Sequence, residues 1–379
     1  MRIDRIEAWV CHFPLPRPFA PSWVPGVPSE SNSCVIYRIT TDDGITGTAG
    51  GIAVFDEAAG YLPVLRAYLV GREVTSVEDI LKTLRSSAQI LGYRAWHIEP
   101  ALWDIIGKAA GMPVYKLLGG ARDRLMAYAS TGELKLPEAH VQACLQLQEL
   151  GFRAVKLRVR HPTVTEDVAV VEAVREALGP EFTLMVDANQ GWRVHGLGPY
   201  PEWDFKRAVQ FSRECEDLDV YWLEEPLYQH DYDGYSSLRA QTDVRLAGGE
   251  MLAELHPFRE LLTRGALDVV QPDVALSGGI LMSRKIAVLA EAFGVEYAPH
   301  TWTNGLGLAA NLHCMGAAPN ATWCEYPFEP GSWIPEARDA MLTEPLQVDS
   351  DGSIQVPQGP GLGVEMDWGA VAAHGHAIG

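Results

Sequence analysis

Polar side chains that could bind a metal and move a proton recur along this 379-residue sequence, each time at the end of a short apolar segment. In "FTLMVDANQGW" the apolar run ends at Asp187, and Asn189 follows. A strand buried on both faces rarely ends on a bare carboxylate unless that strand end lies at a functional site. The same ending recurs in other segments, at Lys156, Arg158, Asp187, Asn189, Glu224, Glu225, Glu250, Asp273, His300 and Glu325.

Three of these acids, Asp187, Glu224 and Glu250, follow three consecutive apolar segments. Converging carboxylates repel one another unless a cation lies between them, and an all-oxygen ligand set without His or Cys favours Mg²⁺, with Mn²⁺ as the second choice. The alternative is that each acid caps a helix or lies at the surface. The recurrence of all three at the same place favours a metal site.

Two cations, Lys156 and Arg158, alternate with the apolar residues of "VKLRV". Because side chains alternate between the two faces of a strand, both cations lie on one face and the valines and leucine on the other. Helices would cover the apolar face, so we expect the cations to point into the site and hold a carboxylate substrate. A structural salt-bridged pair is the alternative.

Asp273 and His300 end neighbouring segments, close enough for the carboxylate to orient the imidazole and raise its basicity. This arrangement is typical of a general base. Glu325, on the last segment, could hydrogen-bond the substrate carboxylate, or it could form a salt bridge that closes the structure.

Positioning these residues requires eight short strands separated by helical stretches, and successive site residues lie between 23 and 37 residues apart. Eight such units predict a (β/α)-barrel, in which all strand carboxyl ends meet at one face. The eight segments are "LMAYAS", "FRAVKLRV", "FTLMVDAN", "VYWLEEP", "VRLAGGE", "LDVVQPDV", "VEYAPHT" and "TWCEYP".

The remainder of the chain predicts a second, smaller domain. Residues 1–125 contain a hairpin in "NSCVIYRITTDDGITGTAG" and a helical pattern from Val77 to Leu118, so we expect an α+β cap. The barrel would then span residues 126–336, and the Gly/Pro-rich tail 337–379 would fold back on the cap. The proline-rich stretch Pro14–Asn32 predicts a surface loop that serves as a lid.

Composition limits the possible partners. A net charge of −19 argues against nucleic acid and anionic membranes, both of which select basic surfaces. The N-terminus has charges and no apolar core of a signal peptide, and no apolar run approaches membrane length. Six scattered cysteines without metal-ligand spacing are typical of a reducing compartment. We therefore expect a cytoplasmic protein without disulfides.

These motifs together resemble the enolase superfamily, and within it the mandelate racemase subgroup. The resemblance covers nearly the whole chain, from "ALWDIIGKAAGMPVYKLLGG" through "VDANQGW", "WLEEP", "GGE", "QPDVALSGGI" and "PHTWTNGLG" to "GPGLGVEMD". It implies a capping domain on a modified (β/α)7β barrel of the TIM type, a homo-oligomer from dimer to octamer, and Mg²⁺ held by Asp187, Glu224 and Glu250. It also implies a His300–Asp273 dyad, with Glu325 helping to hold an enolate.

One departure from the subgroup bears on the reaction. The racemases of the subgroup have K-x-K, with the second lysine as a base, whereas this chain has Arg158 at that position. Arginine is effectively always protonated and is a poor base, so racemisation by two bases is disfavoured.

One base and its conjugate acid suffice to eliminate water, and the subgroup is rich in acid-sugar dehydratases. We therefore expect a Mg²⁺-dependent dehydratase that converts a sugar-derived acid to a 2-keto-3-deoxy acid. The alternatives are a cycloisomerase or lactonising enzyme, an epimerase with Lys156 as second base, and a binding protein without turnover. We expect specificity to depend on Trp23 in the proline-rich loop and on Trp302, with Asn189 also contacting the substrate.

Overall fold

A computed structural model describes residues 1–52, 57–198 and 200–378 of the chain. Its N-terminal part is an antiparallel sheet covered by helices. The strands are β1 (Ile3–Phe19), β2 (Ser29–Thr41) and β3 (Thr46–Ile52), and the helices are α1 (Glu57–Leu69), α2 (Val77–Leu91), α3 (Pro100–Ala110) and α4 (Val114–Leu117). The predicted hairpin is confirmed, since β2 pairs with β3 and Gly44 adopts the positive φ of 86° that the turn between them requires.

The barrel consists of eight parallel strands that alternate with helices, and it confirms the predicted fold class. Its strands are β4 (Arg124–Ser130), β5 (Ala154–Arg158), β6 (Thr183–Asp187), β7 (Val220–Glu224), β8 (Arg245–Gly248), β9 (Val269–Val270), β10 (Glu296–Tyr297) and β11 (Trp323–Pro327). Its helices are α5 (Pro137–Glu149), α6 (Val164–Leu178), α7 (Phe205–Asp217), α8 (Tyr232–Arg239), α9 (Leu255–Thr263), α10 (Val274–Ser277), α11 (Gly279–Ala292) and α12 (Gly305–Ala317).

Strand β11 closes the barrel, because it lies between β4 and β10. Strand β11 pairs with β4 over five residues, while β10 forms a parallel bridge from Tyr297 to Ala321, two residues before β11 begins. The ring of strands is therefore nearly closed. Apolar side chains between the strands and the surrounding helices form the largest core cluster, which includes Val155, Leu157 and Val186. This burial holds the strand ends at fixed positions around the barrel mouth.

The C-terminal segment contributes to both parts of the molecule. It contains α13 (Pro335–Arg338), β12 (Ser353–Gln355), α14 (Trp368–His374) and β13 (Gly375–Ile378). Strand β12 pairs with β4 of the barrel, whereas β13 pairs with β1 of the cap. The cap sheet thus has the order β13-β1-β2-β3 and contains both ends of the described chain.

The prediction of a loop over Pro14–Asn32 is wrong at both ends. Strand β1 extends to Phe19 and β2 begins at Ser29, which leaves only residues 20–28 between them. The register of this pair shifts between Pro14 and Phe19. Such an irregular end of a strand pair tolerates prolines, which cannot donate ladder hydrogen bonds.

Two further elements differ from the sequence interpretation. Helix α1 lies upstream of the helical pattern that we predicted from Val77 onward, and it contains Pro63. Strands β9 and β10 have two residues each, so Asp273 and His300 lie three residues beyond their strands. No helix among the described residues is long and apolar enough to cross a membrane.

Candidate active site

The two cations of β5 lie buried inside the barrel mouth. Lys156 Nζ contacts Glu224 Oε1 at 2.6 Å and Glu325 Oε1 at 2.8 Å, and Asp187 Oδ2 lies 3.9 Å away. Burial lowers the pKa of Lys156, but the charges of Glu224 and Glu325 outweigh this effect and raise it. Lys156 is therefore a fixed cation.

Arg158, two residues further along β5, contacts the next strand. Its Nη1 pairs with Asp187, and its Nε donates to the carbonyl of Thr131 at 2.7 Å. Burial lowers the pKa of Arg158, but the Asp187 carboxylate raises it above its usual value. The parallel register explains this contact, because Arg158 lies directly opposite Asp187 in the β5–β6 pair.

The acids Asp187, Glu224 and Glu250 converge as the sequence predicts. One carboxylate oxygen from each lies within 4.8 Å of the others, and all three side chains are buried. Asp187 is the last residue of β6 and lies opposite Glu224, the last residue of β7. Glu250 follows β8 by two residues, in a turn that contains Gly249 at φ 109°.

Burial makes the ionised form of these carboxylates unfavourable. Burial raises the pKa of Glu224 to about 7 despite the opposing effect of Lys156, and burial likewise raises the pKa of Glu250. The neighbouring Glu225 is also buried, and burial together with Glu250 and Asp187 raises its pKa well above the usual range. Three converging carboxylates of this kind, without His or Cys, suit a hard cation such as Mg²⁺.

His300 and Asp273 form a hydrogen-bonded pair at the edge of the acid cluster. His300 Nδ1 lies 2.8 Å from Asp273 Oδ2, and His300 Nε2 lies 3.5 Å from Glu250 Oε2. Asp273 is held by its own cap on α10, since its Oδ1 accepts from the Ala275 N–H at 2.7 Å. Burial lowers the pKa of His300, but the carboxylates Glu250, Glu325 and Asp273 outweigh burial and raise it to about 10.

Glu325 lies within β11 and points into the barrel. Its Oε1 accepts from Ser130 Oγ at 2.7 Å, and its Oε2 accepts from the Thr301 N–H at 2.5 Å. Burial raises the pKa of Glu325, but Lys156, His300 and Arg158 outweigh burial and lower it to about 2. Glu325 is therefore ionised, and each of its oxygens accepts a hydrogen bond from the protein.

Asn189 and the two predicted tryptophans lie around Arg158. Asn189 adopts φ 46°, donates from Nδ2 to Asp187 Oδ2 at 3.1 Å and accepts from Ser22 Oγ at 3.1 Å. The guanidinium of Arg158 lies 5.0 Å from the ring centroid of Trp23 and 6.0 Å from that of Trp302. The structure thus brings all eleven of the residues that we predicted from the sequence to one region at the barrel mouth.

Two residues of this region, Ser130 and Ser22, were missed by the sequence interpretation, and Glu225 was named as a strand-end residue without a role. Ser130, the last residue of β4, contacts Glu325, Trp302 and Arg158. Its position at a strand end was the signal that could have identified it. Ser22 lies in the cap loop, 167 residues away from Asn189 in the sequence.

The comparisons with known proteins identify the family. Residues 139–370 match the model of the enolase C-terminal domain-like family, and residues 6–119 match the N-terminal domain of the mandelate racemase and muconate lactonizing enzyme family. A parallel barrel with an α+β cap and a buried acid trio at the strand ends defines the same class of protein. The chain belongs to the mandelate racemase and muconate lactonizing enzyme subgroup of the enolase superfamily.

Individual relatives differ in the reaction that their names state. The chain is 30% identical to the D-galactarolactone cycloisomerase of Agrobacterium fabrum over 97% of each chain. It is 32% identical to the L-talarate/galactarate dehydratase of Salmonella typhimurium, over 96% of this chain and 89% of the relative. The structure of D-glucarate dehydratase from Agrobacterium tumefaciens, complexed with magnesium, matches with a TM-score of 0.85 at 28% identity and covers 99% of each chain.

Proposed function

We propose that the protein removes the α-proton of a sugar-derived carboxylate and eliminates water from the adjacent carbon, which gives a 2-keto-3-deoxy acid. The observation that carries this proposal is the hydrogen-bonded pair of His300 and Asp273. The Nε2 atom of His300 lies beside the acid cluster at the barrel mouth. A proton acceptor next to a site for a carboxylate is what removal of an α-proton requires. Relatives named as dehydratases and as cycloisomerases of sugar acids support the substrate class.

Asp187, Glu224 and Glu250 would hold Mg²⁺ in this scheme. When bound, the ion supplies positive charge that neutralises these acids, lowers the pKa of His300 by offsetting Glu250, and stabilises the negative charge that develops on the substrate carboxylate. Manganese, which also accepts an all-oxygen ligand set, is the second candidate.

His300 would accept the α-proton at Nε2 while Asp273 holds Nδ1–H. The imidazolium that forms would then return the proton to the departing hydroxyl if both groups leave from the same face of the substrate. Lys156 and Arg158 would stabilise the carboxylate through their fixed charge. Arg158 would not act as a second base, because a guanidinium paired with a buried carboxylate remains protonated.

Glu325 would act in this scheme by positioning Lys156. Its contacts with Lys156 at 2.8 Å and with the Thr301 N–H tie the cation to the loop that carries His300. Glu325 would also hydrogen-bond the substrate carboxylate, as the sequence interpretation suggested.

A substrate screen tests the reaction. Hexarates, hexonates, pentonates and uronates would be incubated with the protein and Mg²⁺, and 2-keto acid formation would be scored by mass spectrometry. Dehydration yields a product lighter than the acid by one water, whereas cycloisomerisation yields an isomer. Exchange of the α-proton without 2-keto product would favour an epimerase, and binding without exchange would favour a non-catalytic protein. The proposal is wrong if no acid loses water.

A further inference from the structure

A cavity of about 300 Å³ lies between the cap and the barrel mouth. One side of its wall consists of residues from the candidate active site, namely Arg158, Asn189, Glu250 and His300. This volume is at the lower end of the range for small-molecule sites. The other described residues of the wall would contact the part of a ligand that lies away from His300.

This part of the wall is apolar. Three indoles, from Trp23, Trp192 and Trp302, line it, together with the side chains of Val24, Ile52, Met251 and Leu276. Trp302 is fixed from behind by Phe19, whose ring stacks on it with a centroid separation of 5.4 Å and an interplanar angle of 7°. Trp23 meets Trp302 edge-on at 4.8 Å. The aromatic part of the wall is therefore packed in place.

Two of the indole N–H groups already have partners in the protein. Trp302 Nε1 donates to Ser130 Oγ at 2.9 Å, and Trp192 Nε1 donates to Glu225 Oε2 at 3.1 Å. These N–H groups are occupied, so the two rings offer a ligand mainly their apolar faces and edges.

The polar side chains Arg158 and Asn189 also have partners within the protein. Arg158 donates from Nε to Thr131 O and from Nη2 to Ser130 Oγ, while its Nη1 pairs with Asp187. Asn189 bonds Asp187 through Nδ2 and Ser22 through Oδ1. His300 and Glu250 belong to the reacting end. A hydroxyl placed against Val24, Ile52, Met251 or Leu276 thus finds no side-chain donor or acceptor on those residues.

We infer that the site selects a sugar acid whose part beyond the reacting carbons carries few hydroxyls, either a deoxy terminus or a ring closed by an internal ether. Burying a hydroxyl without a hydrogen-bond partner is unfavourable, whereas burying an apolar carbon in the same contact is favourable. An open polyhydroxy chain therefore loses affinity for this wall. The inference rests on the proposed function, whose chemistry it specifies further.

Both kinds of substrate are compatible with the proposed proton transfer. In a 3,6-anhydro acid, His300 takes the C2 proton, the C2=C3 double bond forms as the C3–O bond breaks, and the imidazolium returns the proton to the ring oxygen, which becomes the C6 hydroxyl. The enol then tautomerises to a 2-keto-3-deoxyhexonate, an isomer of the substrate. The parent hexonate gives the same product by loss of water, so one assay measures both acids. A 6-deoxyhexonate loses water in the same way and keeps its methyl group.

The test compares kcat/KM for three acids matched in configuration, with Mg²⁺ present: a hexonate, its 6-deoxy form and its 3,6-anhydro form. We expect at least one of the two hydroxyl-poor acids to exceed the parent by about 10-fold or more. Met251→Gln, which adds a donor and an acceptor to the wall at similar volume, should reduce this ratio. Met112→Gln makes the same change at an exposed methionine outside the cavity and should leave the ratio unchanged.

The outcomes separate the inference from the proposed function. A higher kcat/KM for the deoxy acid, or for the anhydro acid, supports the inference and identifies which of the two is selected. Equal or faster turnover of the parent hexonate overturns the inference but leaves α-proton removal and elimination intact. If none of the acids, in any configuration, gives product or exchanges its α-proton in D₂O, the proposed function is wrong and the inference falls with it.

Discussion

Arg158 replaces the second base of the racemases that the sequence resembles, and its surroundings define what it can do. Its guanidinium contacts Asp187, Ser130 and the carbonyl of Thr131, and it faces the ring of Trp23. Five donors in a planar fork match this set of acceptors, which a lysine would satisfy only in part. The side chain is therefore a fixed positive charge beside the cavity.

We expect Arg158→Met to lower kcat by about 10²-fold or more, because it removes a charge that stabilises the transition state, as loss of an oxyanion donor does. Steady-state kinetics on the substrate found in the screen provide the measurement. Arg158→Lys, which keeps the charge, is the control and should retain more activity. A rise in KM with unchanged kcat would instead assign Arg158 to ground-state binding.

His300→Asn tests the choice of base. Asparagine keeps a similar shape and loses the titratable nitrogen, so both product formation and exchange of the α-proton with D₂O should disappear together. Proton NMR in D₂O measures the exchange. Asp273→Asn serves as a comparison, since it should weaken both reactions through the orientation of the ring. Persistent exchange without elimination in His300→Asn would indicate that Lys156 removes the proton, and would favour an epimerase.

At the scale of the elements, three strands each bring one acid to the proposed metal site, which predicts a readout that does not depend on activity. A ligand that binds only the folded state stabilises it, so Mg²⁺ should raise the midpoint of thermal unfolding by roughly a few degrees. We expect Glu250→Gln to lose both this shift and the enzymatic activity while it remains folded. EDTA should abolish the activity reversibly. Full activity of Glu250→Gln in EDTA would refute the metal site.

The strand ends explain why so much of the site could be predicted. In a parallel barrel every strand places its carboxyl end at the same face, so the position of a polar residue within its unit is enough to predict its neighbours. Asp187 and Glu224 are the last residues of their strands and lie opposite each other. Asn189 illustrates the limit, since its partner Ser22 comes from a distant loop and no local pattern encodes that contact.

The errors have an equally local origin. The prolines of residues 14–18 predicted a loop because proline cannot donate a hydrogen bond to a strand ladder. The register of the β1–β2 pair shifts between Pro14 and Phe19, so the regular ladder is interrupted there and does not require those hydrogen bonds. Strand β12 was not predicted because three residues carry almost no periodic signal, and its pairing with β4 depends on tertiary contacts. The apolar cavity wall combines residues from the cap and from several barrel loops, so it too required the structure.

At the scale of the whole molecule, buried histidines make stability depend on pH. Burial lowers the pKa of His97 and of His313 to about 4 from the usual 6.5. His313 in α12 accepts from the Tyr115 N–H and lies 3.0 Å from the Leu362 carbonyl, so it connects the cap, the barrel and the tail. Its bonds are made by the neutral ring, with the proton on Nε2.

Between pH 6.5 and about 4, these two histidines are protonated in the unfolded chain and neutral in the folded chain. The contribution of these two histidines to stability is therefore complete above pH 6.5, and it falls as the pH decreases through this window, by about 1.4 kcal/mol per pH unit and histidine. Urea unfolding at several pH values measures the slope. His313→Gln should reduce the slope, whereas His376→Gln, at an exposed histidine, should not. An unchanged slope in His313→Gln would contradict this account.

The pairing of β13 with β1 affects the order in which the molecule can assemble during its synthesis. Strand β1 lies at the beginning of the described chain, and its partner residues 375–378 lie at the end. Ile378 also belongs to the core cluster of the cap, which includes Ile6 and Ile39. The barrel strands leave the ribosome before this last strand does, so they can pair while one edge of the cap sheet still lacks its partner. The cap sheet is thus completed only after the barrel strands have been synthesised.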